Sequence, residues 1–134
     1  MTPVDVVAAH ASFQTPLDVR YVDGDTWIVL LEFVYVSPRI TIHVPAGFET
    51  DFASIPRLLW RWMPRTDKRI GKPSIIHDYI YRSPSIDFTR QQADHELREA
   101  MACVGANAFD RNLVYAAVRI GGVHGWVPRS EKGA

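Results

Sequence analysis

Cysteine is nearly missing from this sequence: Cys103 is the one thiol in 134 residues. A disulfide framework within the chain and a thiolate zinc site are both excluded. Surplus charge is missing as well. Fifteen Lys+Arg stand against fifteen Asp+Glu, a formal net charge of zero, whereas a nucleic-acid or anionic-membrane binder usually carries a basic excess. Long apolar runs are missing too. The longest, Trp27 to Leu31, falls far short of the roughly 20 residues that a membrane helix needs. Met1 to Ala11 holds neither Lys nor Arg, so no secretory signal is expected and synthesis in a cytoplasm is.

What is present is a 47% hydrophobic composition, enough to exclude disorder and to fill one core at this length. A single domain over 1–134 is expected, with its core at about 15–126 and peripheral ends. Two periods divide it. From Leu17 to Thr50 the pattern is that of strands. Asp23-Gly24 signals a tight hairpin, because such turns need positive φ. Leu17 to Val22, Trp27 to Val36 and Ile40 to Val44 then read as a three-stranded antiparallel meander, with Ser37-Pro38 breaking the ladder.

From Ile55 the period turns helical. Pro56 suits a first turn, with Ser54 or Asp51 as its cap. A second helix starts near Pro73-Ser74 and runs to about Arg82. Thr89 to Gln92 fits a capping box for a third, stopped by Gly105, and Asn107 caps a fourth that ends at Gly121-Gly122. The polar tail from Pro128 is expected to fray. The fold class is therefore α+β: an N-terminal antiparallel β-meander packed against a C-terminal layer of three to four helices.

Polar residues of chemical interest fall in two helical segments and one junction. The junction is Thr50 to Pro56, where Thr50, Asp51 and Ser54 are the types that accept from free amides at a helix start. A cap and turn is the plain reading; Asp51 as a ligand in a cleft is the other. The first helical segment is His77 to Arg82. His77 and Tyr81, four apart, share a face, and Asp78 is turned about 100° away. The second is Ala93 to Leu97. Asp94 shares the apolar stripe of Leu97 and Met101, whereas Glu96, Arg98 and Glu99 are expected to face solvent. A carboxylate in a core stripe needs a partner. The short connection makes the two helices antiparallel neighbours, so His77 and Asp94 are expected to meet. A carboxylate that fixes one imidazole nitrogen frees the other to act as a base or to bind metal. The same pair with no chemistry is a buried lock between helices. Cys103 reads as a small core residue. Six cations between Arg57 and Lys72 read as a solvated loop or a partner contact.

Gly47 to Arg57, His77 to Arg82, Ala93 to Met101 and Tyr115 to Arg119, taken in this order and spacing, together resemble the DUF1353 family of small proteins common in tailed phages and prophages. That resemblance spans about Pro45 to Gly122 and implies a phage or prophage origin. Synthesis in a host cytoplasm is expected, and an assembly role carries with it incorporation in a phage particle and other phage tail proteins as partners. His77-Asp78-x-x-Tyr81 with Asp94 is also similar to the catalytic helix pair of secreted phospholipases A2. Carried over, that resemblance makes His77 the general base, Asp94 its orienting residue, Asp78 a calcium ligand and Tyr81 part of the supporting network. The chain lacks that family's cysteines and its Gly-rich calcium loop.

Two functions are thus expected. One is a metal-assisted hydrolase of a lipid or cell-envelope ester or amide. Its catalytic residues are His77, Asp94 and Tyr81, with Asp78 and Asp51 on a divalent cation (calcium or zinc) and Thr50 and Ser54 nearby. The other is a non-enzymatic structural or assembly component of a phage tail. Exposure separates them. A catalytic His77 opens to solvent, and a structural one is closed off with both nitrogens bonded. Neither reading includes nucleic acid, and the sequence leaves the oligomeric state open.

Overall fold

The computed structural model describes residues 10–129. Expectations that fall on 1–9 and 130–134 lie outside it. The chain divides into two compact units, 1–51 and 52–134. Strands occupy the first and helices the second, so the α+β class holds.

The N-terminal unit holds β1 (Ser12–Phe13), β2 (Val19–Asp23), β3 (Thr26–Val29), β4 (Phe33–Val36), β5 (Thr41–Val44) and β6 (Glu49–Thr50). They form two antiparallel three-stranded sheets, in the orders β1-β4-β5 and β2-β3-β6. The single meander is therefore corrected. Its long middle strand is two strands, β3 and β4, which belong to different sheets. Val29 pairs with Val19, the first residue of β2. Just upstream stands Pro16, which has no N–H to extend a ladder. One further bond, from Leu30 N to Asp18 O at 2.8 Å, ends this pairing; Leu30 to Glu32 are exposed, and new partners begin at Phe33. Alternation then holds: Phe33, Tyr35, Ile42 and Val44 are buried, and the ring of Phe13 packs on Phe33 and Tyr35 at 5.4 and 4.9 Å. The expected turn is present, with Gly24 at φ 53° between β2 and β3.

The C-terminal unit holds α1 (Gly71–Tyr81), α2 (Arg90–Cys103) and α3 (Ala108–Gly121), with short 3-10 turns at Arg57–Arg61 and Gly122–Gly125. The expected first helix is only the former turn. No side chain caps it, and Pro56 stands at its N-cap. Ser54 is used elsewhere, as described below. The other start and stop signals work as read. Thr89 and Gln92 close a complete capping box on α2, Asn107 accepts from Asp110 N on α3, and Gly105 takes φ 95° after α2. α1 is buried over most of its length, including Ile75, Ile76, Ile80 and Tyr81, the mark of a central helix. Its neighbour α2 contacts both other helices. Ile55, Leu59, Met63, Ile70, Leu97, Met101, Val114 and Val118 form the core of this unit. Among the described residues no helix is long and apolar enough to cross a membrane.

Three expectations fail here. Cys103 is exposed, because it lies on the last residue of α2, beyond the stripe that ends at Met101. Glu96 is fully buried, not solvent-facing: α2 contacts both α1 and α3, and its outer face is the one that carries Gln91, Gln92, Glu99 and Ala102. The tail does not fray at Pro128. Arg129 donates to Ile80 O at 2.6 Å and stacks on Trp126 at 3.8 Å.

Candidate functional site

A histidine in the middle of a buried helix must find partners for both ring nitrogens. His77 does so. Its side chain is wholly enclosed, with Nε2 2.7 Å from Asp94 Oδ1 on α2 and Nδ1 2.9 Å from Ser54 Oγ. An ionised carboxylate only accepts, so Nε2 carries a proton and donates it to Asp94. Tyr81, one turn along α1, donates to the same Oδ1 at 2.5 Å, and its ring lies 4.2 Å from the imidazole. Arg119 of α3 donates to the other oxygen at 2.7 Å, and Arg90 stands 3.5 Å from it. One carboxylate thereby ties together all three helices and the Ser54 turn.

The electrostatics follow from this enclosure. Burial by itself raises the pKa of the Asp94 carboxyl. The bonds from His77, Tyr81 and Arg119 outweigh burial and hold it below the usual carboxylate range. Burial first, and then the Asp94 carboxylate, push the Tyr81 phenol well above its ordinary value. Tyr81 is thus held as a donor.

Two more arginines close the periphery. Arg90 donates to Val118 O at 3.0 Å and Arg119 O at 2.9 Å, near the end of α3, and Arg129 reaches Ile80 O and Tyr81 O at the end of α1. Helix ends leave carbonyls without intrahelical partners, and guanidinium groups satisfy them. Ser54 is presented by a sharp turn. Phe52 adopts φ 61°, and its carbonyl accepts from Ile55 N at 3.0 Å. Positive φ in a bulky aromatic residue is strained backbone.

The segment after α3 covers Ser54. A Cβ on Gly125 would lie 2.8 Å from the Cα and N of Ser54, and one on Gly122 would lie 3.1 Å from the Tyr81 hydroxyl. Trp126 packs edge-on against Tyr81 at 5.1 Å, and Val127 N donates to Tyr81 O at 3.0 Å. At Gly125, where the neighbours are backbone, only glycine permits so close an approach.

Of the residues singled out in the sequence, Ser54, His77, Tyr81 and Asp94 come together in this network. Asp78 is buried on α1 with Oδ2 3.4 Å from Arg82 Nη1. Thr50, buried in β6 opposite Trp27, and exposed Asp51 belong to the N-terminal unit. Among the described residues no group of three or more His, Cys, Asp or Glu side chains is placed to hold a metal ion. Arg90, Arg119 and Arg129 escaped the site reading. Arg119 alone had a signal, as the arginine of Tyr115-x-x-Val-Arg119.

An α+β protein whose helices are cross-linked by a closed Ser–His–Asp–Tyr–Arg network is the class that the geometry defines. The chain matches the family described as "Protein of unknown function (DUF1353)" over residues 27–118, and it belongs to that family. No curated protein and no solved structure matches it.

Proposed function

We propose that the protein is a non-enzymatic assembly component of a bacteriophage particle, in which the Ser54–His77–Asp94 network is architecture. The observation that supports this reading is closure. Ser54, His77 and Asp94 are each 0% exposed, and both imidazole nitrogens are bonded within the chain. A reacting centre needs a substrate atom about 3 Å from its nucleophile and base. Here that place is filled by protein.

One observation favours a second reading, a hydrolase. Hydroxyl, imidazole and carboxylate stand in series, and the hydroxyl follows a strained residue, Phe52. The nitrogen turned away from Asp94 meets Ser54, so the nucleophile on this reading is the Ser54 hydroxyl rather than a water activated beside a metal.

Treatment with a fluorophosphonate probe separates the two. Wild-type protein is expected to stay unlabelled, and His77→Ala to melt at a markedly lower temperature. The chain is also expected at fixed copy number among the proteins of purified particles of its phage. Stoichiometric labelling that disappears in Ser54→Ala would overturn the assembly reading in favour of the hydrolase.

A further inference from the structure

The stretch that follows α3 is built unlike the rest of the helical unit. Of residues 122–129 only Gly122 is buried, and none of their side chains belongs to the core cluster. Val123 is 50% and Val127 38% exposed. The stretch is held to the end of α1 by a short set of contacts. Val127 N donates to Tyr81 O at 3.0 Å, Arg129 donates to Ile80 O at 2.6 Å, and Trp126 packs edge-on against Tyr81. A segment that buries little apolar surface opens at a lower free energy than a packed helix. Gly121 and Gly122 join it to α3, and adjacent glycines let a chain swing at such a junction.

This stretch lies directly on the polar network. Gly125 stands against the backbone of Ala53 and Ser54, where a Cβ would lie within 2.9 Å of its neighbours. Gly122 stands against Ser54 O and the Tyr81 hydroxyl, at 3.0 and 3.1 Å on the same measure. Beneath them the polarity of the network is fixed. Asp94 holds the Nε2 proton of His77, so the neutral ring presents Nδ1 as an acceptor, and the Ser54 hydroxyl donates to it at 2.9 Å. A hydroxyl donating to an imidazole that a carboxylate orients is the arrangement of an activated nucleophile. An assembly component makes no use of that reactivity while the cover stays in place.

We propose that residues 122–129 are a strap that withholds a reactive serine. Shut, the strap seals the Ser54–His77–Asp94 network; released from the end of α1, it opens the Ser54 hydroxyl to an ester. The proposal concerns the regulation of this one site and rests on its closure, the observation behind the assembly reading, which is unchanged for the shut chain. In the open chain the Ser54 oxygen bonds to the ester carbonyl carbon and His77 Nδ1 takes the hydroxyl proton. The bond to the alcohol oxygen then breaks, the departing alcohol takes that proton, and an acyl-serine remains.

Two full-length variants loosen the strap without touching the three network residues. Val127→Pro lacks the N–H that bonds to Tyr81 O, and Arg129→Ala lacks the guanidinium that reaches Ile80 O. Each is treated with a fluorophosphonate, on which attack by Ser54 at phosphorus expels fluoride. Hydrogen exchange is followed on the same proteins. Exchange in the strap is expected to rise at least tenfold in both variants while α2 keeps its protection. Ser54 is expected to be labelled at least tenfold faster than in the wild-type protein, and the label to disappear when Ser54→Ala is added.

A strap that exchanges faster while Ser54 stays unlabelled overturns the proposal and leaves the assembly reading standing. Unchanged exchange in both variants overturns it as well, since these contacts then hold nothing shut. Labelling that rises only together with exchange throughout α2 assigns the reactivity to unfolding of the whole unit and likewise overturns it. Stoichiometric labelling of the wild-type protein at the rate of the variants overturns the strap and the assembly reading together.

Discussion

Asp94 joins α1, α2 and α3 through one side chain. It accepts from His77, Tyr81 and Arg119 while fully enclosed. Removing one member of a buried charge network strands the rest, at about 3–5 kcal/mol. Asp94→Ala is expected to lose that much in urea unfolding, whereas Asp87→Ala, an exposed site, is expected to change stability by less than about 0.5 kcal/mol. Gly125 gives a second test at this scale. A Cβ there meets Ser54 backbone at 2.8 Å, and backbone cannot step aside as a side chain can. Gly125→Ala is expected to lower the melting temperature and to raise hydrogen exchange at Val127 N, which bonds to Tyr81 O. The His77–Asp94 pair was legible because a carboxylate in an apolar stripe demands a partner on the neighbouring helix. Ser54 at Nδ1 was not legible as a partner, because a serine before a helical run reads equally well as a cap. What decided its role was the left-handed turn at Phe52, which no local pattern announces.

Elements with their own chemical punctuation were read well. The capping box at Thr89 and Gln92, the Asn107 cap and the stop at Gly105 each act within a few residues, and the structure places them as expected. Thr89→Ala is expected to cost about 1 kcal/mol, measured by thermal or urea unfolding, as cap removal usually does. Elements set by partners were misread. Trp27 to Val36 has the composition of one strand, yet the start of β2 at Val19, paired with Val29, decides where its first half stops. The angle of Glu96 on α2 alone points it to solvent; packing of α2 against α1 and α3 buries it instead. Arg129 lay in a tail that composition marks as frayed, and it is held by carbonyls at the end of α1, a bond between segments far apart in sequence.

For the molecule as a whole, acid is the informative stress. Asp94 is held below its ordinary pKa, and the bond from Arg69 sets Asp67 at about 2. A carboxyl depressed on folding contributes stability that is complete above its unfolded value, about 3.9, and is lost as pH falls through its folded value. Melting temperature is therefore expected to be level from pH 7 to about 5 and to fall below about 4. Asp94→Asn starts lower and is expected to fall less over the same acid range, which isolates the share due to this one group. The balanced composition, fifteen cations against fifteen acids, leaves little net repulsion near neutrality to obscure that difference.

The Ser54–His77–Asp94 network is closed to solvent, with all three residues 0% exposed. Exchange of the His77 Nε2 proton with water, followed by NMR on protein labelled with nitrogen-15 in its histidines, tests it most directly. A visible Nε2–H resonance that exchanges slowly and is lost in Asp94→Ala is expected. Rapid exchange in the wild-type protein at neutral pH, as at a solvent-open imidazole, would contradict it.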